Sequence, residues 1–164
     1  MSATALPPAV ENDDELIIVR DFKAPRDLVF RAWTDAAMLA RWFCPEGCDL
    51  PFQRFDPRVG GDYRVCLRGR ESGTEWWMQG EFLEIHPNER IVFTHVWDDV
   101  ARRPDKDSVV TVTFSETEAG TRMVFHQQRF VSEFERDDHR GGWSSCFNRL
   151  QALVQPSPTT DALP

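Results

Sequence analysis

Apolar positions along this chain follow two periodicities, and the change between them outlines the molecule. Near the C-terminus, Trp143, Cys146, Phe147, Leu150, Leu153 and Val154 recur at spacings of three and four. That spacing makes one stripe on an α-helix. Ser132-Glu133-Phe134-Glu135 has the form of a capping box, which predicts a helix starting near Glu133, and Pro156 and Pro158 end it. Gly141-Gly142 falls inside that span. Each glycine costs about 1 kcal/mol relative to Ala there. The pair therefore predicts either a bend or a backbone passing close to a neighbour.

From about residue 50 to 130 the period is two, the signature of strands. Tyr63, Val65 and Leu67 alternate with Asp62, Arg64 and Arg68. Ile91, Phe93, His95 and Trp97 make one face of a later strand almost wholly large and apolar. Val110, Val112 and Phe114 line a further strand, and Met123 and Phe125 lead the last one, ending near Phe130. Residues 50–55 form another, and 75–85 a long strand whose alternation breaks at Trp76-Trp77, which predicts a bulge near Gly80. A first strand spans Glu15 to Phe22. Two short helices follow it, one behind Pro25 at its first position with Leu28, Val29, Ala32 and Trp33, one capped by Asp35 with Met38, Leu39 and Trp42. Short turns between successive strands imply an antiparallel meander. The predicted class is α+β: a curved antiparallel sheet around the long C-terminal helix, with a space between them.

Composition sharpens that space. Six Trp and twelve Phe stand against a single Tyr in 164 residues, enough large apolar surface for a thick core or an aromatic-lined cavity. The net charge of −8 and pI near 5.0 speak against a phosphate-binding surface, so no nucleic-acid partner is expected. No run reaches the roughly 20 apolar residues of a membrane span. Residues 1–11 have neither a basic start nor an apolar centre, so no secretory signal is expected, and the reading is cytoplasmic. Cys44, Cys48, Cys66 and Cys146 are then expected as free thiols. Residues 1–12 and 156–164 read as disordered tails around one domain at 13–155.

Candidate chemistry is sparse. Cys44 and Cys48 stand at a spacing a metal site can use, but no second pair follows to complete about four ligands, so neither metal nor cofactor is expected. Ser144 and Ser145 lack a triad arrangement with His95 or His126, and no catalytic residue is assigned. Glu81 and Glu84 stand at an odd offset that puts them on opposite faces unless a bulge intervenes. Asp137-Asp138-His139-Arg140 reads as a solvated helical face. His95 shares parity with Phe93 and Trp97, while Gln127 and Arg129 share it with Phe125. Together these three can supply the few polar contacts that orient a ligand in an apolar pocket, Arg129 favouring a carboxylate or phosphate head.

The run Ala24-Pro25, Val29, Trp33-Thr34-Asp35 and Arg41-Trp42-Phe43-Cys44-Pro45-Glu46-Gly47 resembles the N-terminal signature of START-like (SRPBCC) proteins. The resemblance continues through Val59-Gly60-Gly61-Asp62-Tyr63, the stretch from Gly80 to Thr94, Gly120-Thr121-Arg122-Met123 and Gly142-Trp143. It covers roughly residues 15–154 and is closer to the subgroup similar to the C-terminal domain of the activator of heat-shock-protein ATPase. It implies a helix-grip fold: a seven-stranded antiparallel sheet wrapped on the C-terminal helix, two short helices closing one end, and a cavity for apolar ligands. The leading expectation is a protein binding a hydrophobic or lipid-like small molecule, with Tyr63, Phe93, His95, Trp97, Phe125, Trp143 and Phe147 lining the cavity. A second is a chaperone-associated protein modulating a heat-shock ATPase. A third is an enzyme, such as a cyclase or hydrolase, with His95 as general base. Further expected associations are a chaperone, under the second reading, and a second copy of the chain as a homodimer.

Overall fold

In this computed structural model, residues 14–98, 108–130 and 133–155 are described. The predicted tails, the charged segment after Asp98 and the Ser132 cap lie outside those residues. The elements run β1 (Glu15–Phe22), α1 (Arg26–Thr34), α2 (Ala36–Trp42), β2 (Cys48–Phe55), β3 (Asp62–Gly69), β4 (Glu75–His86), β5 (Arg90–Trp97), β6 (Ser108–Glu116), β7 (Thr121–Gln128) and α3 (Glu133–Val154). The strands form one seven-stranded antiparallel sheet in the order β1-β7-β6-β5-β4-β3-β2. This is the helix-grip α+β architecture. Among the described residues no helix is long and apolar enough to cross a membrane.

Local chemistry explains most boundaries. Asp35 caps α2, its Oδ1 accepting from the Ala37 and Met38 amides at 2.9 and 3.1 Å. Pro25 stands one residue outside α1, as its N-cap with φ −62° and ψ 150°, rather than at the first helical position. There its carbonyl accepts from Leu28 and Val29. The β4 bulge falls at Leu83, where the pairing with β5 shifts between Phe82 and Glu84, not near Gly80. Gly80 matters for a different reason. A Cβ there would run into the Thr94 carbonyl and the Tyr63 ring, so the glycine lets that ring lie on the strand. Because the bulge separates Glu81 from Glu84, both leave the core face, and Glu84 is taken up by Arg90 at 2.7 Å and His86 at 3.0 Å.

The apolar stripe of α3 buries Trp143, Cys146, Phe147, Leu150 and Val154 against the sheet. Polar clamps hold the helix across β1: the Arg20 guanidinium donates to Asn148 Oδ1 at 2.9 Å and to the Ser144 carbonyl at 3.2 Å. On its other side the Glu46 amide donates to Ser145 Oγ at 2.8 Å, and Arg149 donates to the Cys44 carbonyl at 3.1 Å. Gly141 and Gly142 do not interrupt α3, and a Cβ at either would meet nothing within 4 Å. The expected close approach is absent. These glycines face open space.

Candidate functional site

Between the C-terminal half of α3 and the sheet the interior is closed by interlocked rings. Trp33 meets Trp42 at 4.7 Å between centroids, Phe93 at 5.9 Å and Phe147 at 6.1 Å. Tyr63 meets Phe93 at 5.8 Å, and Phe125 meets Phe147 at 5.3 Å. Tyr63, Phe93, Phe125 and Phe147 are therefore core residues, all fully buried in this packing. Burial also drives the Tyr63 hydroxyl well above the usual phenol range, so it stays protonated. Its hydroxyl donates to the Thr94 carbonyl at 3.2 Å.

The open space lies at the other end of the helix. A cleft of about 910 Å³ runs between the N-terminal half of α3 and the ends of β3, β4 and β5. Of the residues expected around a cavity, it brings together His95, Trp97 and Trp143. Gln127 sits just behind, fully buried, as the centre of a polar chain. The Trp143 indole donates to Gln127 Oε1 at 2.8 Å, Gln127 Nε2 donates to Ser108 Oγ at 2.7 Å, and Ser108 donates to the His95 carbonyl at 2.8 Å. Every member has a partner, so the chain sets the orientation of Trp143 and of the β5 backbone. Arg129 is elsewhere. β7 ends at Gln128, and φ of 73° at Arg129 turns its side chain out to solvent, which breaks the parity that alternation assigned to it.

The two histidines of the cleft are held in different ways. His95 is 3 % exposed, and burial, reinforced by the neighbouring His139, pushes its pKa down to about 3. A base that weak is badly matched to proton abstraction near neutral pH. His139 contacts the Glu135 carbonyl through Nδ1 at 2.8 Å, and a carbonyl only accepts, so Nδ1 carries the proton. Nε2 is left with a lone pair, which accepts the Trp97 indole N–H at 2.8 Å. This tautomer pins the Trp97 ring to α3.

Other cleft residues escaped the sequence reading. Trp76, Trp77 and Phe134 border it, with Phe134 82 % and Trp76 43 % exposed. So do Asp138 and His139, on a helical face that read as solvated. The signal was present. Counting back from Cys146 and Trp143 in steps of three and four reaches Gly142, His139, Asp138 and Glu135, all on the cleft wall. One helical face thus changes from apolar, where it covers the core, to small, aromatic and acidic, where it borders the cleft. Cys48 and Cys146 also reach the wall, and all four cysteines are free thiols. Among the described residues no three His, Cys, Asp or Glu side chains gather to hold a metal ion.

Comparison with known proteins agrees with this architecture. A structural-genomics protein from Chromobacterium violaceum matches with a TM-score of 0.78 and 30% identity, over 88% of this chain and 99% of its own. A protein from Silicibacter pomeroyi carrying the family designation AHSA1 has a TM-score of 0.77 at 24% identity, over 85% of this chain and 96% of its own. One from Nitrosomonas europaea has a TM-score of 0.73 at 23% identity, over 94% and 100%; these last two show the shared fold. No functionally curated protein matches. The family model for Activator of Hsp90 ATPase homolog 1-like protein matches residues 23–155, and the chain belongs to that family.

Proposed function

We propose that this protein binds a small apolar molecule in the cleft beside the N-terminal half of α3. The observation that carries the reading is the cleft's wall. Four indoles and two phenyl rings surround a space of about 910 Å³ with one buried polar ring, His95, on its inner side. Ligand sites of roughly 300–1,000 Å³ share this make-up, apolar walls with a few fixed polar groups. The glycine at Gly142 supports it, since the helix gives up about 1 kcal/mol there and what it gains is room. Binding without chemistry is the favoured form. His95 is too weak a base for the catalytic role near neutral pH.

Native mass spectrometry of the freshly purified protein tests this directly. A discrete added mass, lost on denaturation and missing from a Gly142→Phe variant, supports binding in the cleft. Apo-mass in both proteins, with no change in Trp fluorescence when apolar probes are added, refutes it. The family description would then direct attention to a heat-shock ATPase, read as ATP turnover with and without this protein.

A further inference from the structure

The charge of the cleft wall narrows the ligand class. We infer that the cleft takes an organic cation, its apolar body among the tryptophans and its ammonium group near Asp138 at the mouth. This inference rests on the proposed binding function. Glu75, Asp98, Glu135 and Asp138 border the cleft, and among the described residues no Lys or Arg does. Burial keeps His95 neutral, and the Nε2 of His139 is engaged by the Trp97 indole N–H. Histidines aside, the acidic and basic side chains that border the cleft among the described residues are all carboxylates, and the nearby Arg64 guanidinium is already taken up by Asp98. The one basic residue that argued for an anionic head group, Arg129, points to solvent away from the cleft.

The molecule already binds a cation in this manner. Arg64 lies over the Trp77 ring at 4.8 Å from its centroid, while Asp98 grips the same guanidinium at 2.7 and 2.9 Å. An indole face and a carboxylate hold that positive group together, and Trp77 and Asp98 both belong to the cleft border. Asp138 pairs with no basic side chain among the described residues, whereas its neighbour Asp137 takes up Arg136 at 3.0 Å. Trp76, Trp97 and Trp143 offer further ring surface on the same wall. Cations are drawn to such faces within about 6 Å, most strongly where water is excluded.

The test is a Trp-fluorescence titration with three eight-carbon probes below their micelle concentrations: octyltrimethylammonium, octyl sulfate and 1-octanol. The cation is expected to bind about tenfold tighter than the sulfate or more. Asp138→Asn should weaken the cation and leave octanol unchanged, added salt should weaken the cation selectively, and Gly142→Phe should weaken all three. Equal affinity for the three probes, or preference for the sulfate, overturns the cationic class and leaves the binding cleft standing. Cation binding that survives Gly142→Phe unchanged also overturns it, because the attraction is then to the acidic surface at large. Response to none of the probes overturns the cleft reading and this inference with it.

Discussion

Replacing Gly141 and Gly142 by Ala isolates what the glycine pair does. Both lie inside α3, and a Cβ at either position meets nothing within 4 Å, so no clash offsets the gain in helix propensity. Each substitution should therefore stabilise the fold by about 1 kcal/mol. As neither new methyl touches a neighbour, the two should add to about 2 kcal/mol. For a chain of this length that corresponds to a rise in Tm of roughly 2–4 °C per substitution. Urea unfolding checks it: the midpoint should rise with the slope unchanged, since a methyl barely alters the surface exposed on unfolding. A lower midpoint for either variant would refute the reasoning, because the backbone there would then need glycine's conformational freedom or its lack of a side chain. Gly142→Ala should also keep a bound ligand that Gly142→Phe loses. That pair of results would show that the cleft has room for a methyl group at this position but not for a ring.

Three other outcomes follow from the buried groups. His95 takes up a proton near pH 6.5 when unfolded but only near 3 when folded, so its contribution is full above pH 6.5 and is lost as pH falls toward 3. Between pH 6.5 and 5 this removes about 2 kcal/mol, and urea midpoints of the wild type should fall more steeply over that range than those of His95→Gln or His95→Phe; equal pH slopes would contradict it. Gln127→Leu strands the buried Trp143 indole N–H and should destabilise by about 1–3 kcal/mol, and adding Trp143→Phe should then cost less than Trp143→Phe does alone, as a double-mutant cycle would show. Gly80→Ala forces a Cβ against the Thr94 carbonyl and the Tyr63 ring and should destabilise by about 1–3 kcal/mol, the opposite sign to the α3 glycines, in the same unfolding assay.

The alternation of Ile91, Phe93, His95 and Trp97 and the stripe from Trp143 to Val154 were enough to read the strands, the closing helix and the side of each that is buried. These are local properties. Burial of one face imposes the period on the sequence itself, and the Asp35 cap is local too. What tertiary structure alone decided is which inward residues meet each other and which meet space. Phe93 and Trp97 share a face of one strand. Yet Phe93 is locked among Trp33, Tyr63 and Phe82, while Trp97 reaches the cleft, because α1, α2 and the C-terminal half of α3 cover only part of the sheet's concave face. Parity also fails wherever one residue shifts the frame. The bulge at Leu83 moved Glu84 to the outer face, and the positive φ at Arg129 removed its side chain from the site. The same holds for Asp138 and His139. Their sequence is that of a solvated helix surface, and only the gap between α3 and the ends of β4 and β5 makes that surface the wall of a cleft.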